Sequence, residues 1–497
     1  MDISMINGHK RGSDIAIDRE LAGDINNPSY DVINYAINQQ RKRTERYKML
    51  EHYYEGNQDI FNRALQLSSK LGRSDEKVMT NHAKYITDMV TGFTTGNPIS
   101  IAAADGKDIK AILDAQDEMD IDSHNTELEK DLSVFGCAYE LLYVKKISDV
   151  ETQLSIEKID PRGCILVTDD TLDKNPLFGI YYVEKKDLSG NPNGYLITIY
   201  TQKWIIQYRT KTGYELSETN LAGNPNAIQH YFGDVPLISY RNNEERQGDF
   251  EQALSLINAY NELQSDRITD KKNFVDALLV LYGFTFEDED GEPAHIDKSQ
   301  TIIEAPGKGE DGASVEWLTK SFDEAQMQTL VKSVKDDIHQ TTYVPNMNDE
   351  NFAGNISGEA MKYKLFALLQ LLATKQRYLT RGIRRRLQLI QNFLELKGQQ
   401  ADASGATIQI SPNIPVNLTD VVNNIKNADG IIPRAFTFAW LPNVSDPEEL
   451  VNQMKQQKAD DVKDSQDALG FDTTKNIDDD EFKGGDTGDT SGTNKQP

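Results

Sequence analysis

The chain has 497 residues, of which 79 are acidic and 53 are Lys or Arg, and its formal net charge is -26 at pH 7. A chain of this length exceeds what one hydrophobic core supports and predicts about two to four domains. The acidic excess excludes a protein that holds nucleic acid over its whole surface, because phosphate groups are neutralised by clustered Lys and Arg. It does not exclude a protein past which DNA moves.

The sequence shows no membrane segment and no cysteine framework. No run approaches the roughly 18 consecutive apolar residues of a membrane span, and Met1 to Glu20 lacks the apolar segment of a signal peptide. We therefore expect a protein of a cytosol-like compartment without membrane contact. Cys137 and Cys164 have neither zinc-motif nor CxxC spacing, so we expect two ordinary packed thiols.

Helical segments precede a strand-rich region in the first half of the chain. Residues 1–30 are polar and contain the breaker Asn26-Asn27-Pro28, which predicts a flexible N-terminal arm. Apolar residues at helical spacing predict helices that begin near Asp31, after the cap residue Asn81 and near Lys107. Short β-branched and aromatic runs between turns then predict a mostly antiparallel sheet. The predicted strands are 138–145, 151–159, 163–168, 178–184, 195–200, 204–209 and 236–240.

Long helical patterns dominate the second half. Asp249 and Gln252 have the spacing of a capping box and open a helix predicted over 248–282, and Ser321 with Glu324 opens another over 321–343. The remaining predicted segments are an insert at 283–320 with strands at 301–304 and 314–318, a mobile Asn-rich loop at 344–356, a helix at 357–398, strands and a helix within 399–445, an amphipathic helix at 446–471 and a disordered acidic tail at 472–497.

These patterns predict an α+β protein with unusually long helices. At 1.5 Å per residue, the helix predicted over 357–398 would be about 60 Å long, which is more than a compact domain needs. A helix pair closed by an irregular insert is poor design for a compact enzyme. It favours a subunit whose long helices line an opening shared by several copies.

Sequence motifs of common enzymes are missing. The chain has no G-x-x-x-x-G-K-[ST] phosphate loop, no H-E-x-x-H zinc motif and no G-x-S-x-G elbow. Gly307-Lys308-Gly309 lacks the hydroxyl and the following helix of a phosphate loop and predicts a turn. Acidic residues at Glu287, Asp288, Glu289 and Asp290 are typical of solvated charge, although such oxygens can hold a divalent metal. We therefore predict no catalytic residue, no metal and no cofactor.

One basic stripe lies on the second long helix. Lys332, Lys335 and His339 have spacings of i, i+3 and i+7 and so share a helical face. In a single chain this stripe is most simply a solvated face. In a ring of copies it would form girdles of positive charge around a bore.

A second basic cluster lies near the end of the third long helix. Arg381, Arg384, Arg385 and Arg386 either complement the helix dipole or contact nucleic acid or a neighbouring subunit. Of these possibilities we favour the subunit contact.

Several short segments make the chain resemble a known family, the portal proteins of tailed bacteriophages, of the siphovirus type common in phages of Gram-positive bacteria. The similar segments lie in the same order over much of the chain. They are Tyr53-Tyr54-Glu55-Gly56, Thr95-Gly96-Asn97-Pro98, Phe135-Gly136-Cys137-Ala138-Tyr139-Glu140, Ile159-Asp160-Pro161-Arg162 and, most specifically, Gly354-Asn355-Ile356-Ser357-Gly358-Glu359-Ala360-Met361-Lys362-Tyr363-Lys364.

The resemblance implies a ring of about twelve copies at one capsid vertex, closed by rotation around a central DNA channel. It implies a wing at 31–247 with the long helix 357–398, a stem of helices 248–282 and 321–343, a clip at 283–320, a tunnel loop at 344–356, a wing–crown junction at 399–445 and a crown helix at 446–471. Lys332, Lys335 and His339 would line the channel. The tunnel loop would include Asn346, Asn348, Asn351, Gly354 and Asn355, and the clip contact would include Glu287 to Asp290 and Lys308.

The implied partners are double-stranded DNA, the terminase large subunit, a head-completion or adaptor protein, and major capsid and scaffold proteins. The implied location is the virion, after assembly in the host cytoplasm. The alternative is a non-channel structural virion or scaffold-associated protein. A metal-dependent nuclease that uses Asp160, Asp169 and Asp170 is least favoured, because Asp160-Pro161 is more simply a turn.

Overall fold

The computed structural model describes most of the chain and divides it into two compact units, Met1–Ile414 and Pro415–Pro497. The described residues are 14–63, 76–148, 152–274, 278–282, 302–305, 314–318, 324–348, 358–414, 418–438, 440–441, 444 and 447–468.

The N-terminal part of the first unit is mainly helical. Its elements are β1 (Ile15–Ile17), α1 (Arg19–Ala22), α2 (Tyr30–Glu55), α3 (His82–Thr95), β2 (Ser100–Ala102), α4 (Lys110–Glu118) and α5 (Ile121–Phe135). Asn81 caps α3 as predicted, since its side chain accepts a hydrogen bond from the Lys84 N–H at 2.9 Å. The single helix predicted from Lys107 is two helices, and Asp120 with φ of 51° separates them.

A run of strands follows. They are β3 (Cys137–Lys146), β4 (Thr152–Ile159), β5 (Cys164–Asp169), β6 (Pro176–Lys186), β7 (Pro192–Tyr200), β8 (Trp204–Arg209), β9 (Asn226–Gln229) and β10 (Leu237–Arg241). All seven predicted strands are present in them, but they form two sheets rather than one meander. One sheet has the order β1-β5-β6-β7-β8-β9 and the other has the order β10-β3-β4.

The smaller sheet lies between two parts of the core. Successive side chains of a strand point to opposite faces, and Ala138 and Leu142 of β3 join one core cluster while Cys137 and Tyr139 join another. A strand that is buried on both faces lacks polar alternation, so periodicity alone does not assign it to a sheet.

The rest of the chain contains the long helices and a small third sheet. The elements are α6 (Leu254–Phe274), β11 (Leu278–Tyr282), β12 (Ile302–Ala305), β13 (Ser314–Leu318), α7 (Glu324–Thr342), α8 (Gly358–Lys364), α9 (Phe366–Leu396) and β14 (Thr407–Gln409), followed in the second unit by α10 (Leu418–Ala428), α11 (Arg434–Phe438) and α12 (Pro447–Ala468). The acidic tail predicted at 472–497 lies outside the described residues.

The prediction of a flexible N-terminal arm is wrong for residues 14–30. β1 pairs in parallel with β5, and Ile15 and Ile17 are buried. Asp14 forms ion pairs with Arg241 and Arg246. Burial by itself raises the pKa of Asp14, but the two guanidinium groups together lower it by more, so the pKa lies below its ordinary value. The segment is therefore fixed by core packing and by charge, which its polar composition concealed.

The first long helix is shorter than predicted at both ends. It ends at Phe274, and Leu278–Tyr282 is instead the central strand of a sheet with β12 and β13. An apolar run satisfies helical and strand patterns alike, and here pairing on both edges decides for the strand. The predicted capping box is also absent, because the Asp249 carboxylate accepts a hydrogen bond from Asn242 and forms an ion pair with Lys375.

Candidate functional site: a helix pair and the segment that leaves it

Helices α6 and α7 pack side by side, and an ion pair joins the end of one to the start of the other. Arg267 Nε lies 2.9 Å from the Glu324 carboxylate. Buried Ile257 of α6 and Val331 and Ile338 of α7 belong to one core cluster. Both helices match segments that the resemblance assigns to the stem.

A polar stripe on α6 binds an extended segment from the N-terminal half. Asn261, Ser265 and Thr269 accept hydrogen bonds from the backbone N–H groups of Thr80, Val78 and Glu76, each at 2.9 Å. Residues four apart on a helix are about 6 Å apart, and residues two apart in an extended chain are about 7 Å apart. Because these two spacings are similar, three successive hydrogen bonds form between α6 and the extended segment. The segment thereby covers one face of α6.

Helix α7 keeps a solvent-exposed polar face. Val331, Ile338 and Thr342 are buried, whereas Lys332, Ser333, Asp336, Asp337 and Gln340 are exposed. This face carries one Lys against two Asp among those residues. The same face also carries Leu330, which is 48% exposed. Its weakly acidic charge disfavours tight attachment of a polyanion.

The predicted stripe of Lys332, Lys335 and His339 is only partly solvent-exposed. Lys332 is exposed, but Lys335 and His339 are half-buried. The His339 ring makes edge-on contacts with His82 and Tyr85 of α3, with ring centroids 5.9 Å and 5.7 Å away. The stripe therefore lies at the border between the packed and the exposed face of α7. A sequence pattern that only separates polar from apolar residues does not show such a border.

His82 is neutral in this cluster at neutral pH. Burial is the main cause that lowers the pKa of His82, to about 4, and electrostatic interactions with His339 and Lys335 lower it as well. The ring packs edge-on against Tyr260 of α6 at 4.7 Å. This packing gives His82 a structural role at the junction of α3 with α6 and α7.

Acidification should destabilise this junction of helices. Since the native pKa of His82 lies below its ordinary value of 6.5, the unfolded chain binds the proton more readily. The stabilising contribution is complete well above pH 6.5 and declines as the pH falls toward 4. From pH 6.5 to 5 we expect a loss of about 1.5 kcal/mol in the free energy of unfolding. Urea unfolding of the natural protein and of His82→Phe at both pH values measures it, and equal pH dependence in the two proteins contradicts it.

The chain leaves α7 through a tightly bonded segment. Tyr343 has φ of 60°, the left-handed conformation that ends many helices. The His339 Nδ1–H donates to Val344 O at 2.9 Å. The Tyr85 hydroxyl donates to Pro345 O and accepts from the Met347 N–H, both at 3.0 Å.

The structure covers only the beginning of the predicted tunnel loop. Asn346 and Asn348 are present, and Asn346 Oδ1 accepts a hydrogen bond from the Asn348 N–H at 3.3 Å. Asn351, Gly354 and Asn355 lie outside the described residues, as do the clip residues Glu287, Asp288, Glu289, Asp290 and Lys308. The loop at 344–356 was predicted to be mobile, but Pro345 and Met347 at its start are bonded to Tyr85 of α3.

The four arginines of α9 have different environments. Arg381 and Arg384 are exposed, which suits the predicted subunit contact, whereas Arg385 forms an ion pair with Asp234 at 2.5 Å within the chain. Arg386 is 1% exposed and lies in the core. The prediction is therefore wrong for Arg386.

Arg386 is the centre of a buried network that the sequence interpretation missed. Its Nη2 lies 2.6 Å from Glu140 Oε2, and its Nη1 donates to Asn125 Oδ1 at 2.8 Å. His124 and the Tyr240 hydroxyl also contact the Glu140 carboxylate, at 2.8 Å and 2.6 Å. Burial by itself raises the pKa of Glu140, but Arg386 and His124 together lower it by more, so that it falls to about 2. Glu140 is thus ionised in the interior.

A second buried network joins three elements around Lys375. Lys375 Nζ lies 2.6 Å from Glu129 Oε1 on α5 and 2.7 Å from Asp249 Oδ2 before α6. Burial raises the pKa of Glu129 to about 7, against the opposing effect of Lys375. The sequence did contain a signal: Lys375 and Arg386 occupy positions in the apolar stripe of α9, with Leu372, Leu379 and Ile390. A cation in such a stripe indicates a buried partner.

Two of the three residues considered for a nuclease, Asp160 and Asp169, are engaged in local structure. Asp160 Oδ1 accepts a hydrogen bond from the Arg162 N–H at 2.9 Å, which is the predicted turn. Asp169 accepts hydrogen bonds from Thr171 and Asn175. The described part of the chain brings no three His, Cys, Asp or Glu side chains together in a metal-binding arrangement. Among its helices, none combines the length and apolar character needed to span a bilayer.

Comparison with known proteins identifies the family. Residues 33–464 match the family model described as phage portal protein, SPP1 Gp6-like. The chain belongs to this family of phage portal proteins. It is similar to the portal protein of Bacillus phage SPP1, with 22% identity over 395 residues that cover 76% of each chain. It is also similar to the portal protein of Clostridium phage phiCD119, with 24% identity over 294 residues, 57% of this chain and 62% of that one.

Solved structures of gene transfer agent (GTA) particles are more distantly similar. The neck of an empty GTA particle computed with C6 symmetry gives a TM-score of 0.39 at 12% identity, covering 78% of this chain and 95% of that chain. The neck of a native GTA particle computed with C12 symmetry gives a TM-score of 0.37 at 12% identity, covering 78% of this chain and 94% of that chain. The mixed α+β architecture follows from the chain's own elements and does not depend on these similarities.

Proposed function

We propose that copies of this portal-family chain assemble into a closed ring of about twelve subunits that forms a DNA channel at one capsid vertex. The observation that carries this proposal is the exposed polar face of α7. Its partner α6 is covered by α7 and by the extended segment 76–80, whereas the face of α7 that includes Lys332 and Asp336 is exposed. A ring of such faces would enclose a hydrated bore with a weakly acidic wall.

The proposed ring assigns a role to each part of the chain. The wing would include residues 31–247 and helices α8 and α9, and the stem would consist of α6 and α7. The clip would contain β11, β12 and β13, while α12 would belong to the crown. The proposed partners are double-stranded DNA, the terminase large subunit, a head-completion or adaptor protein, and the major capsid and scaffold proteins. The ring would assemble in the host cytoplasm and remain in the virion, without turnover of its own.

The mass of the purified particle tests the ring. Native mass spectrometry, with electron microscopy of the same sample, should show a closed oligomer with a central hole. A sample that contains only monomers and dimers under conditions that preserve phage heads would contradict the proposal. It would favour the alternative, a non-channel structural or scaffold-associated virion protein.

Reversal of the exposed charge on α7 should impair DNA packaging. Lys332→Glu would add a girdle of negative charge to a wall that is already acidic and would oppose the passage of phosphate groups, most strongly at low salt. We expect several-fold less nuclease-protected DNA per capsid, with normal ring mass. Lys42→Glu on α2 is the control, since Lys42 is also exposed. Equal packaging by both variants would contradict a channel position for Lys332.

A further inference from the structure

Helix α3 shares a core cluster with the chain on both sides of the predicted tunnel loop. Ile86, Val90 and Phe93 of α3 belong to the cluster that contains Ile338, before the loop, Val344, at its first position, and Leu365, Leu368 and Leu372, after it. These α3 residues lie about one or two helical turns apart and so share a face. The base of the loop therefore rests on a helix that is more than 240 residues earlier in the sequence.

Tyr85 makes the polar contact between this helix and the start of the loop. A tyrosine hydroxyl has one donor hydrogen and can also accept, and here it donates to Pro345 O and accepts from the Met347 N–H, both at 3.0 Å. The two bonds fix two backbone groups on either side of Asn346. Proline has no N–H, so the carbonyl of Pro345 is the one backbone hydrogen-bonding group that residue offers.

An ion cluster fixes the chain beyond the loop. After the loop and α8, helix α9 carries Lys375, whose side chain is 3% exposed and forms ion pairs with Glu129 and Asp249. Asp249 lies two residues before the 3-10 turn Glu251–Ala253, which leads into α6. The double hydrogen bond of Tyr85 therefore fixes the chain where it enters the loop, and the ion cluster fixes α9 relative to the start of α6.

We propose that Tyr85 is a positioning residue that sets the position and direction in which the chain enters the tunnel loop after α7. The inference rests on the proposed channel function. The segment from Val344 to Asn348 would be the fixed base of the loop. The phenol acts through Pro345 and Met347 and does not itself contact DNA.

Tyr85→Phe tests this role because it removes only the hydroxyl. Loss of a hydrogen bond to a backbone amide raises the population of the open form. We expect the Met347 amide hydrogen to exchange about tenfold faster, a factor that corresponds to about 1.4 kcal/mol. We also expect normal ring mass and several-fold less nuclease-protected DNA per capsid.

The matched control is Tyr54→Phe. The Tyr54 hydroxyl also makes hydrogen bonds, to Asp88 and Lys84, but on an exposed part of α2 and α3. This variant should leave both the Met347 exchange and the packaging unchanged.

Three results would overturn the proposal. One is unchanged Met347 exchange in Tyr85→Phe, and another is faster exchange with normal packaging. The third is a Tyr85→Phe protein that does not fold, which would make the hydroxyl a folding determinant. Failure of the channel itself is distinguishable, because then the natural protein would form no ring while the exchange difference at Met347 would persist.

Discussion

Replacement of Arg386 by Met should lower the free energy of unfolding by about 3–5 kcal/mol, the cost of leaving a buried ion without its partner. Arg386 is 1% exposed and Glu140 is 0% exposed, so water cannot replace the guanidinium. Glu140 would retain only the hydrogen bonds from Tyr240 and His124. Scanning calorimetry at one fixed protein concentration measures the effect.

Two further variants separate charge from packing. Arg384→Met changes a neighbouring but exposed arginine of the same helix, and we expect its effect to stay within about 0.5 kcal/mol. Adding Glu140→Gln to Arg386→Met removes the unpaired carboxylate and should restore part of the lost stability. Equal stability of Arg386→Met and Arg384→Met would show that the buried ion pair is not important for the stability of the fold.

Replacement of Lys375 by Met should have a similar effect with a distinctive pH dependence. The variant would leave Glu129 and Asp249, which share one ammonium group, without a cation, at a cost of about 3–5 kcal/mol near pH 8. Burial already raises the pKa of Glu129 to about 7 in the intact cluster. Without Lys375 this pKa should rise further, because its lowering contribution is lost.

The sign of the pH effect follows from this shift. A carboxyl group with a raised native pKa takes up a proton more readily when folded, so stability increases as the pH falls below that pKa. We therefore expect Lys375→Met to lose less stability at pH 5 than at pH 8, relative to Arg377→Met on the exposed side of α9. Urea unfolding at both pH values measures the difference. An equal loss at both values would mean that the carboxylates find other partners.

The two networks have different places in the proposed ring. Glu140 lies on the central strand of the smaller sheet and Arg386 lies on α9, so the first network is within the wing. Lys375 joins α9 to the start of α6 through Asp249, so the second network connects the wing to the stem. Buried ion pairs contribute little net stability compared with apolar packing, but they tolerate few alternative arrangements. We infer that the second network fixes the direction of α9 relative to α6.

The family resemblance, the class of fold and many of the elements were predictable from the sequence. Strands at Cys164–Asp169 and Trp204–Arg209, the capped helix after Asn81 and the final helix from Pro447 all match local patterns. Such elements depend on the alternation of side chains and on capping and turn residues, which act over a few positions.

The sequence by itself determined the chain's acidic character, its α+β class, most of its strands and helices, and the segments that resemble the portal family. Only the tertiary structure decided that Asp14 and β1 join a sheet, that Leu278–Tyr282 is a strand, and that Arg386 is buried while Arg384 is exposed. It also revealed the bonds from Tyr85 to Pro345 and Met347. The reason is physical: local patterns record which side of an element is apolar, whereas the partner of a charge or hydroxyl is set by residues that are distant in the chain and adjacent only after folding.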